Sequence, residues 1–449
     1  MYNKVFKQRI IPQNWSLKKV SEIAKTGSGG TPLSTCKEYY DGGNIPWINS
    51  GEVGQNSIKQ TSNFITKAGM ENSSAKLFPA GSVLLALYGA TAGKTSYLEI
   101  NATTNQAICA IMPKKGYDAK FIKYYLDALY SYLVGVSTGS ARDNLNQNGI
   151  QDLEIPFPSE TTQKSISKVL SDLDAKIELN NRINRELEAM AKTLYDYWFV
   201  QFDFPNEQGK PYKSSGGKMV YNAELKREIP EGWENGTLGD ISDLVRGVTY
   251  DASDIKEEND YDVIPILRAT NISGNVIDLD NMVFVPKQNV SANQVLNKFD
   301  ILITMSSGSK DHIGKNGFFY FDKEVAFGAF CAKIIAKHKY RFYVYSYTQS
   351  DFMFSTIKNE CLGTNINNLN GSLVKGFKLV IPPADLVEKF NDKVLSIYEM
   401  IGINHKQNQQ LTELRDWLLP MLMNGQVTVK EAKVRLSMAA EPSVEYKKR

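Results

Sequence analysis

The chain repeats its own sequence, in the same order, across its two halves. One copy opens with "IPQNW" at Ile11 and a second opens with "IPEGW" at Ile229. The segments that then match in register are "NIPWINSGEV" and "VIPILRATNI", "GSVLLALYGATAGK" and "FDILITMSSGSKDHIGK", "NQAICAIMP" and "FGAFCAKIIA", and "NLNQNGIQDLEIPFP" and "NLNGSLVKGFKLVIPP". Because so many ordered matches do not arise by chance, the sequence predicts two copies of one domain.

Each copy alternates short apolar runs with turns rich in glycine, asparagine and proline. The runs "SVLLALYG" and "FDILITMS" have the pattern of buried strands. Residues 117–135 and 341–358 have the pattern of amphipathic helices. Each copy is therefore predicted to be a mixed α/β (α+β) domain.

Two long segments, 161–199 and 385–423, contain almost no glycine or proline. In both, apolar residues recur in alternating steps of three and four, the heptad spacing of a coiled coil. The residues that interrupt this spacing at matching places are Asn180, Asn184, Asn404 and Asn408. We therefore predict two long helices packed as an antiparallel coiled coil, spanning roughly 55 Å, with a central asparagine layer that fixes their register. The alternative is a solvated bulge on the seam.

Composition argues against several classes of function. The net charge is only +3, so nucleic acid would have to be held by local basic patches. The four cysteines form no CxxC pair and the three histidines form no HxxxH pair, so we predict reduced thiols and no metal site. No apolar run approaches the roughly 20 residues of a membrane span, and no secretory signal opens the chain. We therefore expect a cytoplasmic protein without membrane contact.

Recognisable catalytic motifs are absent from the sequence. There is no GxGxxG after a strand, no Asn-Pro-Pro-aromatic motif of adenine methyltransferases, no HExxH and no GxSxG. The stretch "YGATAGKTS" (88–96) resembles a P-loop, but a P-loop has one more residue between its first glycine and Gly-Lys. The second copy keeps Gly314-Lys315 but continues with Asn316. We therefore predict a turn between two strands here, and no cofactor bound by this chain.

Two diverged domains at a fixed separation suit duplex DNA, whose half-sites on one face lie about 34 Å apart. The duplicated Ile-Pro-x-x-Trp openings, "GSVLLALYGATAGK", the Asn-Leu-Asn exits and the paired long helices together resemble the specificity subunits of type I restriction–modification enzymes. The resemblance covers nearly the whole chain. It implies that each domain is a target recognition domain for one half of a bipartite DNA site, and that the helices set the spacer.

The same resemblance implies partners and a division of labour. Two modification (methyltransferase) subunits would dock on the chain and bind S-adenosylmethionine, and restriction subunits would use ATP and Mg. The implied division is 1–157 for the first recognition domain, 158–200 for the first spacer helix, 201–382 for a linker plus the second recognition domain, 383–425 for the second spacer helix and 426–449 for a C-terminal tail. Two alternatives stay open: a catalytic DNA methyltransferase or nuclease fragment with a cryptic site, and a structural adaptor that does not touch DNA.

Candidate DNA contacts are side chains that can pair with base edges or phosphates and that lie on glycine-containing loops. The first copy supplies Thr26, Ser28, Asn49, Ser50, Tyr88, Thr91, Lys94, Thr95, Ser140, Arg142 and Asn144. The second copy supplies Arg246, Thr249, Tyr250, Arg268, Thr270, Asn271, Ser307, Ser309, Lys310, His312, Lys315, Thr364 and Asn365. Positions that differ between the copies are favoured for base reading. Lys94 and Lys315, at matching places, are predicted to contact backbone phosphate.

Overall fold

The chain divides into two compact units. The computed structural model describes residues 12, 14–138, 145–337, 339–362 and 368–440. The first unit comprises Met1–Leu179 and Asn408–Arg449, and the second comprises Asn180–Gln407. Each unit therefore combines one copy of the duplicated domain with parts of both long helices. The domain boundaries drawn from the sequence follow a different criterion and stay a prediction.

The first unit is a mixed α/β structure. Its strands are β1 (Ser16–Lys19), β2 (Ala24–Ser28), β3 (Ile45–Ile48), β4 (Ser57–Ile58), β5 (Phe64–Ile65), β6 (Leu77–Phe78), β7 (Val83–Ala86), β8 (Thr95–Leu98), β9 (Ala102–Thr104), β10 (Ile108–Pro113) and β11 (Glu154–Phe157). Its shorter helices are Val20–Ile23, Lys67–Glu71, Ala119–Ala128, Tyr130–Thr138, Gln147–Asp152 and Val429–Ala440.

Two sheets and a strand pair organise the first unit. The larger sheet has the order β2-β10-β7-β8-β4, and the second has the order β5-β3-β9-β6. β10 pairs antiparallel with β2 and β7, whereas β3 pairs parallel with β9. β1 pairs antiparallel with β11, so the first and last strands of the domain lie side by side. Val83, Leu85, Cys109 and Ile111 alternate along β7 and β10 and are buried in one core with Phe121 of the covering helix.

The second unit has the same class of structure. Its strands are β12 (Met219–Asn222), β13 (Arg227–Pro230), β14 (Glu234–Thr237), β15 (Ser242–Arg246), β16 (Val263–Leu267), β17 (Ile272–Ser273), β18 (Val276–Ile277), β19 (Val283–Pro286), β20 (Ile301–Thr304), β21 (Asn316–Phe318), β22 (Ala326–Phe327), β23 (Cys331–Ala336) and β24 (Lys378–Ile381). Its shorter helices are Leu238–Ile241, Arg341–Thr348, Asp351–Leu362 and Gly371–Lys375.

The internal topology of the second unit reproduces that of the first. The order β15-β23-β20-β21 matches β2-β10-β7-β8, and β19-β16-β22 matches β5-β3-β9. The parallel pair recurs between β16 and β22, and the closing antiparallel pair recurs between β14 and β24. The predicted duplication of one mixed α/β domain is therefore confirmed in the fold.

The long helices run from Glu160 to Tyr195 and from Ala384 to Met423. The first is followed by a wider helical turn over Asp196–Val200. The single helices predicted over 117–135 and 341–358 are wrong, because each segment forms two helices. In the second unit the break lies at Ser350, whose hydroxyl donates to the carbonyl of Tyr347 at 2.6 Å and accepts from the Met353 N–H at 3.2 Å. A serine that caps a new helix in this way competes with continuation of the old one.

The predicted heptad residues form the buried seam in each unit. In the first unit, Ile166, Leu170 and Leu173 of the first long helix share one core with Leu418 and Leu422 of the second. In the second unit, the buried seam residues are Ala191 from the first long helix, Trp198 from the helical turn that follows it, and Phe390, Val394 and Ile401 from the second long helix. Residues early in one helix meet residues late in the other, so the two helices pack as the predicted antiparallel coiled coil.

A charged group occupies one seam position of the first unit. Arg415 donates to the Asp174 carboxylate at 3.1 Å, and the Tyr124 hydroxyl donates to the other oxygen of that carboxylate at 2.6 Å. Burial and the nearby Asp174 carboxylate raise the pKa of the Tyr124 hydroxyl, which therefore stays a donor at neutral pH. This network ties the helix Ala119–Ala128 of the domain to both long helices.

Asparagines form a polar layer in the second unit. Asn184 and Asn404 are buried, and the Asn404 amide donates to the Asn184 carbonyl oxygen at 2.7 Å. The amide of buried Asn180 donates to Gln407 at 2.8 Å. The rising order 180, 184 opposite the falling order 407, 404 again gives an antiparallel register. The Asn184 amide nitrogen has no hydrogen-bond partner among the described residues, so the layer is incompletely satisfied.

We expect the double substitution Asn184→Leu with Asn404→Leu to raise the free energy of unfolding by about 1–3 kcal/mol, because it removes two desolvated amides from an apolar seam. Asn404→Leu alone should lower it by about 1–2 kcal/mol, because the Asn184 carbonyl loses its donor inside the seam. In urea unfolding we expect the free energy of unfolding to be highest for the double variant, intermediate for wild type and lowest for the single variant. A double variant less stable than wild type would contradict a structural cost for this layer.

The aromatic segment after the first long helix packs on its own unit. Tyr195, Trp198, Phe199 and Phe202 are buried, and the Phe199 ring meets Phe390 with centroids 5.0 Å apart. The sequence left open whether residues 193–205 dock a partner or pack against a domain. The structure shows packing, because these rings are part of the second unit's core.

His405 is a half-buried histidine on the second long helix, stacked on Tyr320 with ring centroids 5.4 Å apart. Gly402 makes room for the Tyr320 ring, since a Cβ at position 402 would lie 2.8 Å from Cδ1 of that ring. Burial lowers the pKa of His405 from 6.5 to about 4, so the folded protein holds a neutral imidazole that the unfolded chain would protonate.

Stability should therefore fall as the pH drops from 6.5 towards 4, with roughly 2 kcal/mol lost through this group at pH 5. We expect His405→Gln to flatten the pH dependence of the urea midpoint between pH 7 and 5. The matched control is His312→Gln, which makes the same chemical change at an exposed histidine. Equal slopes for wild type and His405→Gln would contradict the burial argument.

Among the described residues, no helix combines the length and apolarity needed to cross a bilayer. In the same part of the chain, no group of three or more histidine, cysteine, aspartate or glutamate side chains is arranged to hold a metal ion.

Candidate nucleic-acid interface

The stretch "YGATAGKTS" forms the connection between antiparallel strands β7 and β8. Ala86 closes it by donating its N–H to the Lys94 carbonyl at 3.0 Å and accepting from the Gly93 N–H at 2.9 Å. Gly93 has a φ of 79°, which is costly for any other residue. A P-loop cradles phosphate where a strand leads into a helix N-terminus, and this turn leads into a strand. The predicted turn between two strands is thus what the structure contains.

The second unit builds the same turn between β20 and β21. Thr304 donates to the Lys315 carbonyl at 2.9 Å and accepts from the Gly314 N–H at 2.9 Å, and Gly314 has a φ of 81°. Lys94 and Lys315 therefore occupy one backbone position in two copies. Neither lysine forms an ion pair with a described residue.

In each unit the candidate loops converge on one turn, which we call the central turn: residues 104–108 in the first unit and 327–331 in the second. In the first unit its main-chain hydrogen bonds run to Gly30 (2.9 Å), Ile48 (3.0 Å) and Leu87 (2.8 Å). In the second unit the corresponding bonds run to Val248 (2.7 Å), Leu267 (2.8 Å) and Met305 (2.8 Å). Main-chain hydrogen bonds thus connect three loops that are distant in sequence.

The second unit adds a further predicted loop to this arrangement. The Leu369 N–H donates to the Met305 carbonyl at 2.7 Å, which places the Asn-Leu-Asn segment against the loop that follows β20. The candidates Thr364 and Asn365, just before this segment, lie outside the described residues, as do Ser140, Arg142 and Asn144 of the first copy.

Several first-copy candidates already serve internal bonds. Thr26 and Ser28 lie in strand β2 rather than on the flexible loop expected from "TGSGGTP", and both bond to Gln147, at 3.0 and 3.1 Å. Thr95 is buried and its hydroxyl donates to Asp127. These three side chains connect the sheet to neighbouring helices, which gives each an internal role that the loop composition did not reveal.

Other first-copy candidates shape or occupy the loops. Asn49 accepts from the Gly51 N–H at 2.9 Å and caps a short helical turn, and the Thr91 hydroxyl donates to the Ser50 carbonyl at 2.7 Å. These bonds tie the loop after β3 to the turn after β7. Tyr88 and Lys94 are exposed beside them.

Lys94 also borders a pocket of about 380 Å³ in the first unit. The other charged side chains of the pocket satisfy one another: Lys123 pairs with Asp127 at 2.9 Å and Arg415 pairs with Asp174 at 3.1 Å. The pocket therefore offers Lys94 as a cation that is not consumed by an ion pair with a described residue.

In the second copy, Arg268 and Asn271 have internal partners. The Arg268 guanidinium donates to the Asn281 carbonyl at 2.7 Å. Asn271 is buried, accepts from the Arg268 N–H at 2.9 Å and donates to the Asp280 carbonyl at 2.7 Å. With both ends of its amide engaged, Asn271 shapes the loop after β16 from within.

The remaining second-copy candidates are accessible. The exposed ones are Arg246, Thr249, Thr270, Ser309, Lys310 and His312, and the half-buried ones are Tyr250, Ser307 and Lys315. Burial raises the pKa of the Tyr250 hydroxyl, which stays a neutral donor at physiological pH. These side chains place donors and positive charge on the loops around the central turn, the equipment needed for phosphates and base edges.

Two kinds of functional residue escaped the sequence analysis. Gly29 and Gly247 lie at matching places where a Cβ would collide with main-chain atoms of the central turn or its edge, so only glycine allows the loops to approach. Phe330, within the central turn of the second unit, is two-thirds exposed. It directly precedes strand β23, which begins at Cys331.

Comparisons with known proteins settle the family. A sequence model described as the type I restriction modification DNA specificity domain matches residues 12–189 and 230–413, once on each copy. The chain belongs to this type I restriction–modification DNA specificity family. The MjaIX specificity subunit of Methanocaldococcus jannaschii is 30% identical over 428 residues, which cover 94% of this chain and 95% of that protein.

Further members of the specificity family match one part of the chain or its fold. The EcoKI specificity subunit of Escherichia coli K12 is 30% identical over 209 residues, which cover 45% of each protein. The crystal structure of a type I restriction–modification S subunit from M. genitalium matches with a TM-score of 0.55 at 17% identity, covering 93% of this chain and 98% of that one. At that identity the structural match supports the fold alone: two copies of a mixed α/β domain and two long helices.

Proposed function

We propose that each domain of this specificity subunit reads one half of a bipartite DNA target, and that the antiparallel helix pair sets the spacer between the halves. The observation that carries the proposal is the repeated central turn, which gathers polar and basic loops in both domains on an identical main-chain frame while their side chains differ. A shared frame with different side chains suits two half-sites of different sequence along one duplex.

The chain is proposed to act without catalysis of its own. It would direct two methyltransferase subunits and the restriction subunits to the DNA sites it selects, in the cytoplasm. S-adenosylmethionine, ATP and Mg would be held by those partners. Support for this division comes from the naming of its relatives as specificity subunits and from the sequence's lack of catalytic motifs. Methyl transfer from labelled S-adenosylmethionine to DNA by the purified chain alone would overturn it.

The modular part of the proposal is tested by exchanging residues 1–157 for the matching domain of a relative and mapping methylated adenines in host DNA. We expect one half of the target to change while the other half and the spacer stay the same. Insertion of one heptad into both long helices, opposite each other, should lengthen the spacer and preserve both halves. A change in both halves after the exchange, or an unchanged spacer after the insertion, would contradict the model.

Lys94 and Lys315 are proposed to contact phosphates in the two half-sites. Lys94→Ala and Lys315→Ala should weaken DNA binding by the assembled complex about equally on all sequences, and should reduce the salt slope of log K by about one each. Lys256→Ala, which removes another exposed lysine of the second domain, is the control. An unchanged salt slope in both variants would remove these two lysines from the interface.

A further inference from the structure

Phe330 is a large apolar ring held in place among the polar loops of the second domain. The central turn is closed by a bond from the Cys331 N–H to the Gly328 carbonyl at 2.8 Å. The Phe330 carbonyl accepts from the N–H groups of both Met305 and Ser306, at 2.8 and 3.1 Å. The backbone of Phe330 is therefore fixed, yet its side chain is 67% exposed. The ring therefore stands at a fixed place on the surface, where a partner can contact it.

In the first domain an exposed ring lies beside the matching main-chain bond, but it belongs to the donor side of that bond, after β7. There the Leu87 N–H donates to the Ala107 carbonyl at 2.8 Å, as Met305 does to Phe330. The residue after Leu87 is Tyr88, 50% exposed, whereas Ala107 is buried. In the second domain the residue after the donor is the small Ser306, and the ring belongs to Phe330, which supplies the accepting carbonyl. Each domain thus has one exposed ring at this bond and one small residue opposite.

The neighbours of the ring define the chemistry of its partner. The main-chain bonds of the central turn join it to the loops that carry Thr249, Thr270 and Ser307, whose groups suit base edges and phosphates. A phenyl ring has neither charge nor hydrogen-bonding groups, so it gains nothing from a phosphate. It can pack on the methyl group of thymine or against the face of a base at a deformed step.

We propose that Phe330 is a specificity-determining residue that contacts bases of the half-site read by the second domain, and that Tyr88 fills the same role in the first. This inference rests on the proposed function, because it requires that the loops around the central turn face DNA. The two rings come from different protein strands, since Tyr88 follows β7 and Phe330 precedes β23. We therefore expect them to contact different base positions within their half-sites.

The test uses the full chain assembled with its methyltransferase subunits, and duplexes that carry the mapped target. We expect Phe330→Ala to weaken binding to the target roughly 10-fold with an unchanged salt slope, since no phosphate contact is lost. Methylation mapping should show relaxed sequence choice in the second domain's half-site only. Phe330→Tyr should restore most of the binding, and Tyr88→Ala should relax the other half-site.

Phe352→Ala is the matched control, because Phe352 is a 60% exposed phenylalanine in the same unit. It should bind and methylate like wild type. The inference is overturned if Phe330→Ala selects its target as wild type does, if binding to unrelated sequences falls equally, or if assembly with the methyltransferase subunit is what weakens. A wild-type complex that selects no sequence would instead refute the proposed function itself, so the two failures are distinguishable.

Discussion

Replacing Phe390 by alanine should cost about 4 kcal/mol of unfolding free energy, the largest loss we expect from a single truncation in the second unit. Phe390 is fully buried on the second long helix, and its ring meets those of Trp198 and Phe199 from the turn that ends the first. The substitution would leave a cavity where the two helices and the domain share one core. Because packed elements surround that cavity, the neighbouring rings can fill little of it.

Urea unfolding followed by tryptophan fluorescence measures this loss, because Trp198 and Trp233 both belong to the affected core. Phe352→Ala, the same chemical change at an exposed position, should alter stability by less than about 0.5 kcal/mol. A Phe390→Ala protein within about 1 kcal/mol of wild type would show that this cluster does not hold the second unit together.

The second large effect is expected from one methyl group. Gly247→Ala should destabilise the second unit by about 3 kcal/mol, because the new Cβ would collide with main-chain atoms of Phe327 and Gly328. Backbone held by hydrogen bonds on both sides cannot move aside as a flexible side chain can. Target binding by the assembled complex should fall with it, since the collision displaces the turn that gathers the loops.

Gly308→Ala provides the comparison, because a Cβ there meets nothing within 4 Å and the backbone is in an ordinary conformation. It should change stability by less than about 0.5 kcal/mol. Gly29→Ala should repeat the Gly247 result in the first unit and impair the other half-site. Wild-type stability and binding in Gly247→Ala would contradict the close approach on which the central turn depends.

The sequence was sufficient for the features that repeat. Two copies allow each segment to be checked against its counterpart, so the strands around "YGATAGKTS" and the heptad seam followed from pattern alone, whereas the partner of Asn180 is Gln407, which the pattern did not predict. Internal hydrogen bonds were out of reach, because their partners are distant in sequence. Thr26 and Thr95 have the composition of loop donors, and only the fold brings Gln147 and Asp127 to them.

Phe330 shows the complementary limit. An apolar residue beside a buried cysteine reads as part of the strand, but β23 begins only at Cys331. The residue before a strand can lie in a turn and point its side chain away from the sheet's own faces. Side-chain alternation cannot predict the exposure of such a residue, because alternation applies only within extended, paired strands.

The closing strand pairs have a consequence for how these proteins change. Ser16 stands opposite Phe157 on β1 and β11, and Glu234 stands opposite Ile381 on β14 and β24. The chain therefore enters and leaves each domain at neighbouring points, and the segment between them can lengthen or shorten without displacing the helices. Each domain is thus an insert with adjacent ends. Recombination at those two points would exchange a whole domain and keep its junction with the helices intact.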